Sequence, residues 1–372
     1  MRVVMFYHSL ISDWNHGNAH FLRGIACELQ HAGHKVAVWE PEDSWSVCNL
    51  IESEGEAAIA RFRQAYPNLS STRYRTDGLD LDEALDRADL VLVHEWNDPM
   101  LVKQIGLHHI RNGSYTLLFH DTHHRSVTDP EAMSRYDLSG YDGVLAFGAS
   151  VAEVYRRYGW GRRVWVWHEA ADTRMFRPVD SAKEGDVVWI GNWGDDERAA
   201  ELNEFLISPV RELGLKARIH GVRYPALARR ALHDAGIVYA GWVANFDAPN
   251  VFARYRFTVH VPRRPYATAL PGVPTIRIFE ALACGMPLIS APWSDSENLF
   301  SPGEDFLSVR NGEEMRRAMQ AVLADAAFAR AIAGHGLQTI LARHTCAHRV
   351  QELLGIVEGV RQASQSLAGG AH

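Results

Sequence analysis

Short apolar runs alternate with amphipathic segments along most of the 372-residue chain. Several of these runs are apolar at every position, which is the pattern of parallel strands covered on both faces. Strands are predicted at residues 3–7, 35–39, 89–94, 115–119, 143–147, 163–167, 186–190, 216–220, 237–239, 257–261 and 287–290. Helical patterns of about ten to fifteen residues separate them. This alternation predicts an α/β fold with parallel sheets.

A break in the pattern predicts two domains. The segment DTRMFRP at 172–178 is followed by a polar stretch up to residue 185, and a new strand begins at residue 186. Eleven strands are also many for one open sheet. We therefore expect one α/β domain at 1–172 and a second at 173–340. A C-terminal helix and a disordered tail are expected within 341–372.

Composition and charge exclude several classes of protein. Hydrophobic residues make up 47% of the chain and charged residues 22%, which excludes a disordered chain. The net charge is −7, and the first 172 residues hold 16 basic and 24 acidic residues, so no nucleic-acid partner is expected. No apolar run is long enough to cross a membrane, and the four cysteines form no CxxC pair. These features predict a cytoplasmic protein without a transmembrane segment.

The strongest chemical signal is the stretch PGVPTIRIFEALACGMPLIS at 271–290. A Gly/Pro loop opens a predicted helix, Gly285 ends that helix, and an apolar strand follows. Free backbone N–H groups at the start of such a helix favour an anion such as a diphosphate. Glu280, further along the helix, is near enough to accept hydrogen bonds from sugar hydroxyls. The alternative is that Glu280 points to solvent or pairs with a neighbour.

This stretch resembles a known family. Residues 279–289 are similar to the donor-site helix of GT-B glycosyltransferases related to the family-four retaining enzymes, and 172–178 match their GVDxxxFxP signature at Asp172, Phe176 and Pro178. GNW at 191–193 and TxRxFE at 275–280 resemble the CgeB-like (spore-maturation type) branch. The resemblance implies a GT-B fold, in which two Rossmann-like α/β domains with parallel sheets face a central cleft.

The same resemblance implies an activity. It predicts transfer of a sugar from a nucleotide-sugar, with a UDP-sugar as the favoured donor, to the hydroxyl of a glycan, lipid-linked or small-molecule acceptor in glycan biosynthesis. The nucleotide-sugar is a substrate, and no further cofactor is expected. Retention of configuration and independence of metal ions are also expected from the family.

Nine residues are predicted to bind the donor. They lie in loops after predicted strands or at the start of the helix described above: Gly17, Asn18, Asn192, Trp193, Arg263, Gly272, Thr275, Arg277 and Glu280. The resemblance assigns Glu280 to the second carboxylate of the family's Glu-x7-Glu pair, which binds ribose. Gly272 stands where the first carboxylate would be. Arg263 suits a diphosphate because guanidinium matches phosphate oxygens, although a solvated surface explains it equally well. The loop with Gly17 and Asn18 has an ordinary strand-to-helix turn as its alternative.

His120 and Asp121 are the predicted catalytic residues. They follow the strand at 115–119, at the end of the strand where open α/β sheets bind ligands. Either side chain could take the proton of an acceptor hydroxyl in an inverting enzyme, or orient the acceptor in a retaining one. A zinc site is the alternative here, but neighbours on one loop cannot all converge on one ion.

A second feature combines arginines with aromatic residues. It comprises Arg156, Arg157, Arg162 and Arg163, interleaved with Tyr155, Tyr158, Trp160, Trp165 and Trp167. Such a patch suits peripheral contact with an anionic membrane, or a nucleic acid. The simpler interpretation is a helix end and a buried strand, with the arginines outside. Two further functions also stay open, a nucleotide-sugar epimerase of the same fold and a non-catalytic member that binds a glycan or a protein.

Overall fold

The chain divides into two compact units in a computed structural model that describes residues 1–194 and 197–369. Unit 1 comprises Met1–Glu169 together with the chain from Cys346 onward, and unit 2 comprises Ala170–Thr345. Each unit is built around one parallel β-sheet with helices between successive strands. The predicted α/β fold with parallel sheets is confirmed.

The sheet of unit 1 has seven parallel strands in the order β3-β2-β1-β4-β5-β6-β7. Their bounds are β1 Arg2–Phe6, β2 Lys35–Pro41, β3 Ser71–Tyr74, β4 Leu90–His94, β5 Thr116–Asp121, β6 Gly143–Ala146 and β7 Val164–Val166. Every residue of β4, β5 and β6 is buried, as expected for apolar strands covered on both faces. Strand β3 was not predicted, because its sequence STRY is polar and two of its four residues are exposed at the sheet edge.

Helices connect these strands. They are α1 Ala19–His31, α2 Trp45–Glu54, α3 Ala57–Ala65, α4 Leu81–Ala84, α5 Pro99–Asn112, α6 Arg125–Thr128, α7 Pro130–Met133 and α8 Ala149–Tyr158. The apolar face of α1 is buried through Phe21, Leu22, Ile25 and Leu29. The chain turns after this helix at Gly33, whose φ of +84° lies in the left-handed region that favours glycine.

The sheet of unit 2 has six parallel strands in the order β10-β9-β8-β11-β12-β13. Their bounds are β8 Gly185–Ile190, β9 Ala217–His220, β10 Val238–Tyr239, β11 Tyr255–His260, β12 Leu288–Ser290 and β13 Leu307–Ser308. The helices are α9 Ala199–Leu202, α10 Ser208–Leu213, α11 Ala226–Asp234, α12 Ala248–Ala253, α13 Arg264–Thr268, α14 Ile276–Ala283, α15 Gly312–Ala324 and α16 Ala326–Arg343, with a π-helix at Asn203–Ile207 and a 3-10 helix at Asn245–Asp247. The two-residue edge strand β13 was not predicted, since two residues carry no periodic signal.

The last helix, α17 Cys346–Gly369, belongs to unit 1. It packs against α1. The indole of Trp167 donates a hydrogen bond to the carbonyl of Arg349 (2.9 Å), and Arg361 donates to the carbonyl of Asp89 (3.0 Å). The sequence-based scheme instead separated 341–372 from both domains and divided the chain at 172/173, whereas the structure divides it at 169/170. The expected disordered tail at 370–372 lies outside the described residues.

Among the described residues, no helix is both long and apolar enough to cross a membrane. All four cysteines are free.

Candidate active site

Most of the predicted donor-binding residues lie at the carboxyl edge of the unit 2 sheet. Asn192 and Trp193 follow β8, Arg263 follows β11, and Thr275 immediately precedes α14. Strands β8 and β11 are neighbours in the sheet, so the loops that follow them emerge side by side. This edge is where open parallel sheets bind ligands.

The loop after β8 passes closely by two arginines. Gly194 has a φ of +78°, and a Cβ atom at this position would lie 2.8 Å from Nε of Arg198 and 3.4 Å from Nε of Arg263. Only a residue without a side chain fits there without displacing a guanidinium group. The backbone of this loop, which we call the glycine loop after β8, therefore lies close to both arginines.

Arg198 holds the loops after β8 and β11 together. Its guanidinium donates hydrogen bonds to the carbonyls of Trp193 (3.3 Å), Asn192 and Val261 (3.0 Å). Burial and the nearby positive charges of Arg263 and Arg277 lower the pKa of Arg198 to about 9. The sequence analysis missed Arg198, because nothing in its local sequence separates it from a solvated helix residue.

Three arginines thus form a positively charged cluster, which we define as Arg198, Arg263 and Arg277. Arg263 is 26% exposed and pairs with Glu197 at 3.4 Å. Arg277, in the first turn of α14, is 30% exposed and pairs with Glu280. Mutual repulsion within the cluster favours binding of an anion, and guanidinium groups match phosphate oxygens in bidentate geometry.

Glu280 is buried rather than pointing to solvent. It has no exposed surface, and it accepts hydrogen bonds from Nδ2 of Asn245 (2.6 Å) and from Arg277. Seven of the eight residues of α14 are buried, so the helix is firmly packed and holds Glu280 in place. Asn245, 35 residues earlier in the chain, was not identified from the sequence.

Thr275 ends a chain of hydrogen bonds at the start of α14. Its hydroxyl lies 3.0 Å from Nε2 of His260, and Nδ1 of that ring lies 2.9 Å from the hydroxyl of Ser290. Burial, together with the charge of Arg198, lowers the pKa of His260 to about 3. The ring is therefore neutral at neutral pH, and it connects the ends of β11 and β12 to the loop before α14.

Gly272 lies against a carboxylate. Its φ is +85°, and a Cβ atom there would lie 2.6 Å from Cγ and 2.8 Å from Oε1 of Glu297. The backbone N–H of Gly272 donates to the carbonyl of Ser294 (2.7 Å), which fixes the two loops together. The side-chain space at Gly272, where the family places a glutamate, is thus occupied by the carboxyl group of Glu297 and the hydroxyl of Ser296.

In unit 1, His120 and Asp121 are the last two residues of β5, and both are completely buried. Nδ1 of His120 lies 2.6 Å from the hydroxyl of Tyr7. Both carboxylate oxygens of Asp121 accept hydrogen bonds, one from the backbone N–H of His123 (3.0 Å) and one from the hydroxyl of Tyr155 (2.8 Å). This arrangement suits Asp121 as a residue that orients its neighbours.

His120 belongs to a row of buried imidazole rings. Ring centroids are 5.7 Å apart for His94 and His120, 6.4 Å for His16 and His94, and 5.4 Å for His8 and His16. Burial lowers the pKa of His8 to about 4 and that of His120 to about 3, so these rings are neutral. Within the part of the chain that the structure describes, Nε2 of His120, Nδ1 of His94 and Nε2 of His16 are buried without a hydrogen-bond partner. The sequence analysis identified only His120 in this row.

Glu95 lies beside this row, at the end of β4. Burial and the nearby charge of Asp121 raise the pKa of Glu95, and burial likewise raises the pKa of Asp121. Arg125 pairs with Glu95 at 2.6 Å and opposes both shifts. Across residues 1–194 and 197–369, no group of three or more His, Cys, Asp and Glu side chains is arranged to hold a metal ion.

Gly17 and Asn18 lie in unit 1, just before α1. The carbonyl of Gly17 accepts a hydrogen bond from the backbone of His20 (3.3 Å). The side-chain amide of Asn18 donates to Glu169 (3.1 Å). Both residues lie in the loop after β1, at the same edge of the sheet as His120.

Comparison with known proteins gives the fold, together with a family match to part of the chain. Residues 197–355 match a protein family described as glycosyl transferase-like. A search of the curated proteins found no match to the sequence. Sucrose-phosphate synthase from Thermosynechococcus elongatus has a similar structure, with a TM-score of 0.66, 14% sequence identity, and coverage of 98% of this chain and 100% of that chain. The predicted GT-B fold is confirmed, and the family match supports the predicted glycosyltransferase.

The chain has the GT-B fold, and residues 197–355 match the glycosyl transferase-like family. HepE from Anabaena in complex with UDP and glucose is also similar, with a TM-score of 0.65, 14% identity, and coverage of 96% of this chain and 99% of that chain. An α-glucosyltransferase in complex with UDP and a 13-mer DNA has a TM-score of 0.69, 11% identity, and coverage of 96% and 99%. The glycosyltransferase family match includes Arg198, Arg263, Arg277 and Glu280.

Proposed function

We propose that this protein is a glycosyltransferase that transfers a sugar from a UDP-sugar to a hydroxyl acceptor, and that the donor nucleotide binds at the carboxyl edge of the unit 2 sheet. The observation that carries the proposal is the arginine cluster, which lies beside the glycine loop after β8. Similar structures hold UDP, which supports UDP as the nucleotide.

The arginine cluster suits the chemistry of transfer. As the bond between the anomeric carbon and the diphosphate oxygen breaks, negative charge grows on the leaving diphosphate. Guanidinium groups that are already in place stabilise this charge without reorganisation. We therefore propose that Arg263 and Arg277 contact the diphosphate, that Arg198 holds the two loops in position, and that no metal ion is required.

Glu280 is assigned to the ribose side of the donor. The resemblance to the family-four enzymes implies that its carboxylate accepts hydrogen bonds from the ribose hydroxyls. Because Glu280 is completely buried, it also acts by holding Arg277 and Asn245 in position. Asn192 and Trp193, in the loop after β8, and Thr275, just before α14, complete the donor side.

Unit 1 is assigned to the acceptor. We propose His120 as the catalytic residue that contacts the acceptor hydroxyl, and Asp121 as a positioning residue. Gly17 and Asn18 border the same edge of this sheet. In the retaining course that the resemblance implies, the acceptor oxygen bonds to the anomeric carbon on the face that the diphosphate leaves, and the acceptor proton goes to the departing diphosphate.

Calorimetric titration tests the donor assignment. With EDTA present, UDP is expected to bind more tightly than GDP, ADP or dTDP, and Glu280→Gln is expected to weaken UDP binding about tenfold or more, the loss for one charged hydrogen bond. The matched control is Glu358→Gln, since Glu358 is an exposed helical residue of unit 1. Failure of every nucleotide to bind a folded wild-type protein would favour a non-catalytic member. Conversion of the donor sugar without release of UDP would instead favour an epimerase.

Glu297 is proposed to contact the transferred sugar. Its carboxylate occupies the side-chain space at Gly272, beside the loop that leads into α14, and a carboxylate accepts hydrogen bonds from sugar hydroxyls. Glu297→Gln is therefore expected to weaken binding of UDP-glucose about tenfold while leaving the affinity for UDP unchanged. Glu304→Gln, which makes the same change at an exposed carboxylate of unit 2, is the matched control. An equal loss of UDP affinity in Glu297→Gln would contradict a sugar contact and indicate a general change in the loop.

A further inference from the structure

The arginine and aromatic segment after α8 forms an exposed corner of unit 1. Helix α8 ends at Tyr158, the chain turns at Gly159 with a φ of +66°, and β7 begins at Val164. We define the aromatic–arginine corner as Arg156, Arg157, Tyr158, Trp160, Arg162 and Arg163. The proposed transfer of a sugar uses none of these residues.

Two aromatic rings stand at this corner rather than in the core. Tyr158 is 54% exposed and stacks on the partly buried Trp160, with ring centroids 4.6 Å apart and 14° between the ring planes. Tyr155 and Trp167, by contrast, are fully buried. The simpler interpretation of the sequence therefore holds for Tyr155 and Trp167, while Tyr158 keeps its ring at the surface.

The four arginines of the corner carry positive charge that no nearby acid neutralises. All four are exposed, and within the described residues none of them forms an ion pair. Arg156 donates a hydrogen bond to the carbonyl of Val164 (3.2 Å) and so fastens α8 to β7. Glu352 of the adjacent α17 already pairs with Arg349 (2.7 Å). The aromatic–arginine corner is therefore a local basic surface on unit 1, whose sequence is acidic overall.

A groove of about 610 Å³ continues from this corner between the edge strand β7 and α17. It is lined by Arg163, Trp165, Val166, Glu352, Gly355, Ile356, Gly359 and Ala363. Gly355 and Gly359 leave open space on this face of α17, because nothing lies within 4 Å of where their Cβ atoms would be. Six of the eight lining residues are apolar or glycine, and the two charged ones are Arg163 and Glu352.

We propose that the aromatic–arginine corner binds an anionic lipid surface, with the arginines on lipid phosphates and Tyr158 and Trp160 at the interface. Arginine side chains are attracted to anionic headgroups, and amphipathic aromatic rings favour the boundary between headgroups and acyl chains. The apolar groove beside the corner has room for part of an acyl chain. This places the protein at a membrane as a peripheral enzyme, independently of which sugar it transfers.

Vesicle co-sedimentation of the full chain tests the proposal. The wild type is expected to sediment with mixed phosphatidylglycerol and phosphatidylcholine vesicles, and to stay in solution with phosphatidylcholine alone. The triple variant Arg157→Gln, Arg162→Gln and Arg163→Gln is expected to partition at least about tenfold more weakly, since each basic residue contributes to attraction by the anionic surface. Arg156 is left unchanged because of its contact with Val164. Raising the salt concentration should release the wild type.

Two further variants make the test specific. Tyr158→Ser with Trp160→Ser should also weaken binding while leaving the arginines in place. Arg211→Gln, Arg229→Gln and Arg230→Gln together are the matched control, because they also remove three exposed arginines, here from α10 and from α11 near Leu227, which is 78% exposed. The proposal is overturned if the wild type does not sediment with anionic vesicles. It is also overturned if the control variant loses vesicle binding as strongly as the triple variant. Retention by a DNA duplex in place of vesicles, lost in the triple variant, would reassign the corner to nucleic acid.

Discussion

Arg263→Met is expected to weaken UDP binding by about ten- to hundredfold, the loss associated with a hydrogen bond between charged groups. The guanidinium of Arg263 is only 26% exposed, lies beside the glycine loop after β8, and adds to the positive charge around Arg198. Methionine keeps most of the length of the side chain but removes the charge and the donors. Calorimetric titration of UDP into both proteins measures the effect.

The neighbouring arginine provides the control for this prediction. Arg264 is 51% exposed and pairs with Glu201 at 3.0 Å, so Arg264→Met removes the same charge outside the cluster. UDP affinity should therefore be unchanged in Arg264→Met, and uridine, which has no diphosphate, should bind wild type and Arg263→Met equally. Equal losses of UDP affinity in the two variants would mean that only the net charge of the unit matters, and the diphosphate site would be wrong.

His120→Phe is expected to lower the rate of sugar transfer by about a hundredfold while leaving UDP affinity unchanged. Phenylalanine preserves the ring that packs on Trp167, with centroids 4.8 Å apart, but removes both nitrogens. The pKa of His120 is lowered to about 3, so the neutral ring offers a hydrogen bond to an acceptor hydroxyl. Between pH 5 and about 8, the transfer rate should accordingly show no inflection from this ring.

Tyr7→Phe separates a catalytic role of His120 from a structural one. It removes the hydroxyl that lies 2.6 Å from Nδ1 of His120 but keeps Nε2, which has no hydrogen-bond partner within the described residues and which we assign to the acceptor hydroxyl. Transfer by Tyr7→Phe should therefore fall much less than transfer by His120→Phe. If both variants lose activity and thermal stability to the same extent, the contribution of His120 is to packing and to the hydrogen bond with Tyr7.

Much of the fold could be predicted because buried strands and helix faces show a local pattern of apolar residues in the sequence. Strands β4, β5 and β6 are apolar throughout, since helices cover both faces of the sheet, and each was predicted within two residues at either end. The edge strands β3 and β13 were missed, because an edge strand is exposed or too short to show a pattern. The place of α17 was also missed, because periodicity identifies a helix but not the surface against which it packs.

The candidate site was predictable only where a residue lies in a recognisable stretch. Glu280, Arg277 and Thr275 belong to the segment that resembles a donor-site helix, and His120 lies at the end of a clear strand. Arg198, Asn245 and Glu297 stand in stretches without a distinctive pattern. Their importance comes from contacts with residues elsewhere in the chain, such as the carbonyl of Val261 for Arg198 and the carboxylate of Glu280 for Asn245.

The sequence by itself determined the alternation of strands and helices, the positions of the loops at their ends, and the resemblance to a family of transferases. These properties depend on the periodicity of apolar residues and on short motifs, which are local. Only the tertiary structure decided that three arginines form one cluster, that Glu297 occupies the space beside Gly272, and that four arginines and two stacked rings share one exposed corner. The physical reason is that such contacts depend on the order of strands in a sheet and on the paths of the loops, which bring together side chains that are distant in sequence.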